Sequence, residues 1–266
     1  MTAIDDTFAR LRAKNEAAFV AYLTAGDPSL DVTPELLQAL VAGGADLIEL
    51  GVPFSDPMAD GPVLQRAAGR AIRTGASLAR VVEMVATRRR EIPVPIVLFG
   101  YYNPFLRYGL DALAADARSA GVDGLLCVDL PPEESADLAA ALARHDVDLI
   151  RLLAPTTPAK RVRMIAESAS GFLYFVSVLG VTGARTALPT ELPELVRRVR
   201  AQTSLPVGVG FGVQTAEQAG WIAGFADAVI VGSAIQRLVE EHGAAAAPKL
   251  ERFVRELKDG MRAARG

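Results

Sequence analysis

The stretch "IELGVPFSDPMADGP", Ile48 to Pro62, carries three carboxyl groups, Glu49, Asp56 and Asp60, on a segment stiffened by Pro53, Pro57 and Pro62. Glu49 closes the apolar run "ADLIEL" in phase with Leu47, so on a strand both side chains point to one side of the sheet. A carboxyl on an apolar interior face loses hydration, its pKa rises, and it becomes able to hold and return a proton near neutral pH. The competing reading is a structural acid satisfied by backbone amides or by an arginine. Asp60 precedes Gly61-Pro62 and the amphipathic run "VLQRAAGRAI", where the ordinary use of aspartate is to cap a helix. If its loop folds back over Glu49, two acids in different environments share one pocket and can divide proton work. Asp56, next to Ser55, serves the loop or a partner.

Phosphate chemistry is signalled further along. In "VGVGFGVQT", Gly210 and Gly212 flank Phe211, and in "VIVGSAI", Gly232-Ser233 opens a helix. Backbone amides and a hydroxyl at a helix start suit an anion, although glycines also serve simply to let strands and helices pack closely. The segment Ser177 to Pro189, "SVLGVTGARTALP", reads as a lid with Gly180 and Gly183 as hinges. The lysines, Lys14, Lys160, Lys249 and Lys258, all lie away from strand ends, which argues against an imine-forming aldolase. The two histidines and the single Cys127 form no metal-ligand pattern, and no GxGxxG or GxxxxGK[ST] motif has the correct flanks.

Groups of this kind need a rigid frame, and the chain supplies one. Eight short apolar runs recur: "AFVAYLTAGD", "ADLIELGVP", "VPIVLFGYYNP", "VDGLLCVDLPP", "VDLIRLLAPT", "GFLYFVSVLG", "LPVGVGFG" and "ADAVIVGS". Their continuous hydrophobicity suits parallel strands covered on both faces. Between them lie helical segments with start signals at Ser77, Thr157-Pro158, Thr190 and Thr215. Strand then helix, eight times, predicts a (β/α)8 barrel, the TIM-barrel architecture; an open doubly wound sheet is the alternative. Asp5 to Ala17 reads as an extra N-terminal helix plugging the N-terminal mouth, and Ala246 to Ala264 as a closing helix. With no linker or shift in composition, residues 1–266 read as a single barrel domain.

With 51% hydrophobic and 6% aromatic residues, the core is built of small aliphatic side chains. A net charge of −3, with cations scattered along helices, argues against nucleic acid. One cysteine, no signal-type apolar core at the N-terminus and no run long enough to cross a bilayer predict a cytoplasmic protein without a membrane span.

With "LIELGVPFSDPMADGP" placed after the second strand, the sequence resembles the tryptophan synthase alpha subunit family. The likeness continues in order through "AFVAYLTAGDP", "YYNP", "DLPPEES", "APTT", "GVTGAR", "GFG" and "GSAI". It implies retro-aldol cleavage of indole-3-glycerol phosphate to indole and glyceraldehyde 3-phosphate, with Glu49 and Asp60 as the catalytic pair. It also assigns Tyr22, Leu64, Tyr102 and Leu126 to an indole pocket, Tyr174 to the active site, and Thr182 to contact with the Asp60 loop. Gly183, Phe211, Gly212, Gly232 and Ser233 fall on its phosphate positions. Tyr22 stands where some members have phenylalanine, so its hydroxyl needs a partner, and Val178-Leu179 are apolar where members can be polar. No cofactor is expected in this chain. Pyridoxal phosphate belongs to the partner beta subunit of an alpha2beta2 complex, with Pro53, Asp56, Pro104, Phe105 and Leu106 as the expected contact surface. Two alternatives stay open: another sugar-phosphate lyase or isomerase on the same barrel, or a weakly catalytic subunit that chiefly activates its partner.

Overall fold

A computed structural model describes residues 1–176, 190–210 and 212–265. Its centre is a closed barrel of eight parallel strands in sequence order: β1 (Ala18–Thr24), β2 (Leu47–Gly51), β3 (Ile96–Gly100), β4 (Gly124–Cys127), β5 (Asp148–Leu153), β6 (Leu173–Val176), β7 (Val207–Gly210) and β8 (Ala228–Val231). Each strand falls inside one of the eight apolar runs. Closure by β1–β8 pairing, Ala21 opposite Val231, excludes the open doubly wound sheet.

Around the barrel run α1 (Ala3–Ala13), α2 (Thr33–Gly43), α3 (Pro62–Arg73), α4 (Leu78–Arg88), α5 (Tyr102–Tyr108), α6 (Leu110–Ala120), α7 (Ala136–Arg144), α8 (Ala159–Glu167), α9 (Leu192–Arg200), α10 (Ala216–Ala223), α11 (Ser233–His242) and α12 (Ala247–Ala263). Ser77 caps α4 by accepting the Arg80 amide, and Thr215 forms a capping box with Gln218 at the start of α10. The other two start signals act differently. The Thr157 hydroxyl accepts the Ala154 amide and leaves Pro158 as the cap residue of α8, while Thr190 lies one residue outside the Glu191 cap of α9. The N-terminal helix begins earlier and ends sooner than its periodicity predicts, because Thr2 and Asp5 close a capping box and Lys14 ends it.

Period-two alternation divides the apolar material into two cores on opposite faces of one sheet. Outward residues such as Phe19, Ile48, Leu98, Leu125, Phe175 and Val229 pack under the helices. Inward residues, among them Val20, Leu47, Val97, Leu126, Ile150, Tyr174 and Ile230, fill the barrel, and Ile4, Phe8 and Leu11 of α1 plug its N-terminal mouth. Both faces are covered, which explains why the runs read as continuously apolar.

The N-terminal mouth is pinned by carboxylates. Asp46, Asp123 and Asp227 accept the amides of Phe19, Ile96 and Val207 at 2.8, 2.9 and 2.9 Å, each at the start of the preceding strand. Each also meets a cation, Lys258, Arg89 or Arg200. Lys258 is the most enclosed: its Nζ donates to Asp46 Oδ2 at 2.5 Å and to the Ala17 carbonyl at 3.0 Å. Lys258→Ala strips the counter-charge from Asp46 and is expected to destabilise the chain by about 3–5 kcal/mol. A urea midpoint within experimental error of the parent would contradict that.

Candidate active site

The polar groups gather at the opposite mouth, where the strands end. Glu49 lies on β2 in register with Tyr22 of β1 and Val97 of β3, pointing inward like Leu47. It is 0% exposed, and neither carboxyl oxygen has a hydrogen-bond partner among the described residues. Among the described residues no amide or arginine satisfies it, which weighs against the structural-acid reading. Burial alone pushes its pKa up to about 8, so the group is a neutral acid at pH 7.

That shift has a thermodynamic consequence. Between the ordinary value of 4.5 and about 8, the folded chain holds a proton that the unfolded chain releases. Native stability therefore falls as pH rises through this window, by about 1.4 kcal/mol per unit. Glu49→Gln has no such proton to lose. Its stability relative to the parent is expected to climb from about pH 4.5 to about pH 8 and then level off. A difference in urea midpoint that stays constant over this range would refute the assignment.

Asp60 sits in the loop before α3 but does not cap it. The cap residue is Gly61, with no side-chain hydrogen bond, and Pro62 in the first turn has no amide to offer. The carboxylate instead accepts a hydrogen bond from the Tyr101 hydroxyl. Burial raises its pKa to about 6 and the Tyr101 bond holds it from going higher. Tyr101 also accepts the Ala59 amide at 3.2 Å and lies against Phe54, ring centroids 5.3 Å apart, so it ties the whole Asp60 loop to β3.

Tyr101 is a residue that the sequence reading passed over in favour of Tyr102. Alternation along β3 brings Val97, Phe99 and Tyr101 to the inner side in turn. Tyr102 opens α5, its ring packs half-buried in the layer between barrel and helices, and its amide donates to Asp129. Phe99, Val128 and Leu152, also missed, are partly buried against the inner cluster beside Leu126. Their signal was available, since each lies two residues beyond an inward position of its strand.

Two more phenols face the acids. Tyr22 and Tyr174 are buried, and burial together with the nearby charges of Asp60 and Glu49 drives both pKa values well above 10. The Tyr22 hydroxyl, for which the sequence demanded a partner, shares a hydrogen bond of 3.3 Å with Thr24 Oγ1. Its ring meets Phe99 edge-on at 5.2 Å. Space for the two hydroxyls comes from glycines: a Cβ on Gly51 would lie 2.2 Å from the Tyr22 oxygen, and one on Gly210 would lie 2.2 Å from the Tyr174 oxygen. Leu64 is half-buried in the first turn of α3.

Beyond β7, Gly212 takes φ +82°, a left-handed conformation that favours glycine. Beyond β8, Gly232 leads into Ser233, the first residue of α11. The Gln236 amide donates to the Gly232 carbonyl at 2.9 Å, and in an α-helix the amides before it have no acceptor within the helix. Thr182 and Gly183, with the Ser177–Pro189 lid and Val178-Leu179, lie outside the described residues, as does Phe211.

The expected partner surface divides. Asp56 is exposed, and the Ser55 hydroxyl donates to it at 2.5 Å. Leu106 is 53% exposed and Met58, which the sequence reading did not select, 88%. Pro104 is half-buried. Phe105, for which exposure and burial under a neighbouring loop were both open, is buried with its ring over Gly100, and Pro53 is buried at the base of its loop. Both shape the loops from beneath, because an aromatic ring and a proline next to strand ends gain more by joining the core than by facing water.

The family model described as "Tryptophan synthase alpha chain" matches residues 8–264. The chain belongs to the tryptophan synthase alpha chain family. It is 49% identical to the tryptophan synthase alpha chain of Solibacter usitatus, over 98% of each chain, and 48% identical to that of Geotalea uraniireducens over the whole of both. Among solved structures it is similar to tryptophan synthase subunit alpha from Legionella pneumophila, with a TM-score of 0.91, 37% identity and 99% of each chain covered. Mycobacterium tuberculosis tryptophan synthase matches with a TM-score of 0.90 and 40% identity, covering 97% of this chain and 98% of that one. As a tryptophan synthase alpha chain, the protein is a lyase of tryptophan biosynthesis whose alpha reaction cleaves indole-3-glycerol phosphate to indole and glyceraldehyde 3-phosphate. Tryptophan synthase alpha chains work with a beta chain.

Proposed function

We propose that Glu49 and Asp60 divide the proton work of this cleavage. Breaking the bond between indole carbon 3 and the glycerol chain first requires a proton on carbon 3. The resulting C=N⁺ of the ring then takes up the bond's electron pair, so the substrate carries its own electron sink. Glu49, neutral at pH 7, delivers the proton to carbon 3 and, once ionised, removes the proton of the adjacent hydroxyl as the aldehyde forms. Asp60, ionised at pH 7, accepts the ring N–H and stabilises the positive charge that develops there. The observation that carries this reading is the pair itself: two acids in one mouth, one without a hydrogen-bond partner among the described residues and one held by Tyr101, with pKa values pushed apart.

Tyr22, Phe99, Leu126 and Tyr174 form the walls of the indole pocket, with Leu64 at its rim. Gly212, Gly232 and Ser233 hold the phosphate; Gly183, Phe211 and Thr182, assigned to the phosphate and to the Asp60 loop by the family resemblance, lie outside the described residues. The chain acts as one domain in an alpha2beta2 complex in the cytoplasm, reading its beta partner through Asp56, Pro104 and Leu106. Pyridoxal phosphate is the partner's cofactor, and no step proposed here passes through it. The test follows indole from indole-3-glycerol phosphate, with and without a beta chain. Ser233→Ala is expected to raise KM about tenfold, the effect of one charge-assisted hydrogen bond, with kcat little changed. An unchanged KM would remove Ser233 from the phosphate site.

A further inference from the structure

We infer that Gln236 is a positioning residue that sets the span between the Asp60 carboxylate and the phosphate-holding start of α11. The inference rests on the site reading proposed above and extends it to a residue outside the pocket. Strand β8 ends at Val231, opposite Ala21, whereas β1 continues to Thr24, which pairs with Gly51 on its other side. The Thr24 amide is thus left without a strand partner on the β8 side, and Gln236 Oε1 accepts it at 3.0 Å. The other end of the same amide group, Nε2, donates to Asp27 Oδ2 at 2.5 Å. Arg70 grips both Asp27 oxygens at 2.8 Å and reaches Glu240 Oε1 at 2.7 Å, one turn beyond Gln236 on α11.

These contacts close a ring from α11 through the β1–α2 loop to α3 and back. Thr24, Asp27 and Gln236 are all at most 1% exposed, so the Gln236 end of the ring works in a dry environment where an unmade hydrogen bond is costly, while Arg70 and Glu240 are about a quarter exposed. Each of the two helices begins at one end of the substrate. Helix α11 opens with Ser233, and α3 follows directly on Asp60, whose carbonyl accepts Gln65 Nε2 at 2.9 Å. The Thr24 hydroxyl also bonds Tyr22, which links the ring to the pocket wall. Holding both helices from one buried amide fixes how far apart the two ends of a bound indole-3-glycerol phosphate lie.

Gln236→Met keeps the length and removes both hydrogen bonds. Assayed as the full chain with its beta chain, it is expected to lower kcat/KM for indole-3-glycerol phosphate by about tenfold or more, the penalty for misaligned reacting groups. Glycerol 3-phosphate, which occupies one end only, should bind with its Kd changed less than about twofold. A purely structural role would lower the thermal midpoint without this split between spanning and one-ended ligands. Unchanged kcat/KM in a folded variant overturns the inference, and so does an equal loss for both ligands. If Gln236→Met does not fold, Asp27→Asn and Arg70→Lys must show the same split or the inference falls. Asp60→Asn and Ser233→Ala run alongside. Normal kinetics in those two sinks the site reading itself, whereas defects in them beside a normal Gln236→Met sink only the present inference.

Discussion

Glu49→Gln abolishes indole formation, lowering kcat by about a thousandfold or more, the upper range for removing a general acid–base group. Glutamine matches the shape of the neutral acid, so the pocket and the phosphate-dependent binding of indole-3-glycerol phosphate should survive, and the loss should appear in kcat with little change in KM. The physical reason is that no other group among the described residues of the mouth is placed to take over. The nearby phenols, Tyr22 and Tyr174, are held well above their ordinary pKa, and Asp60 is already ionised at pH 7. The same substitution should strengthen the fold at alkaline pH, so lost activity through unfolding is separable from lost chemistry. Retention of even a tenth of the parent kcat would remove Glu49 from the role.

Asp60→Asn is expected to lower kcat/KM by about a hundredfold, on the order of 2.7 kcal/mol of transition-state stabilisation. Asparagine keeps an acceptor for the Tyr101 hydroxyl, so the loop stays in place and only the charge opposite the ring nitrogen is lost. The pH profile carries a second signature. With Asp60 needed as its carboxylate and Glu49 as its acid, kcat/KM of the parent chain should rise through about pH 6 and fall through about pH 8. Asp60→Asn loses the acidic limb. Tyr101→Phe removes the bond that lowers the Asp60 pKa, so its acidic limb moves to higher pH. An acidic limb unaffected by either substitution would show that another group sets it.

The eight strands were legible because an inward and an outward apolar face leave few polar positions within a strand, so Glu49 stood out against its run; β5, with Asp148 and Arg151, is the most polar of the eight. The caps at Ser77 and Thr215 were equally legible, being contacts within a few residues. The choice between Tyr101 and Tyr102 was harder. It depends on whether β3 keeps its phase past Gly100, and both residues are tyrosines. Pro53 and Phe105 lie in loops that the resemblance assigns to a partner contact, and for Phe105 burial under a neighbouring loop was equally open from the sequence; whether a loop residue turns in or out is settled by the space beneath it, here over Gly100.

Local pattern alone therefore determined the barrel, the strand end on which Glu49 sits and the glycines after β7 and β8, because each is encoded within one strand or one helix turn. Only the assembled molecule decided the state of the two carboxyls: whether Glu49 has a partner, and whether Asp60 caps a helix or meets Tyr101. The ring through Thr24, Gln236, Asp27, Arg70 and Glu240 has the same origin, joining residues as far as 212 positions apart. Desolvation and long-range hydrogen bonds depend on what closes over a group in space, and adjacency in the chain carries no record of that.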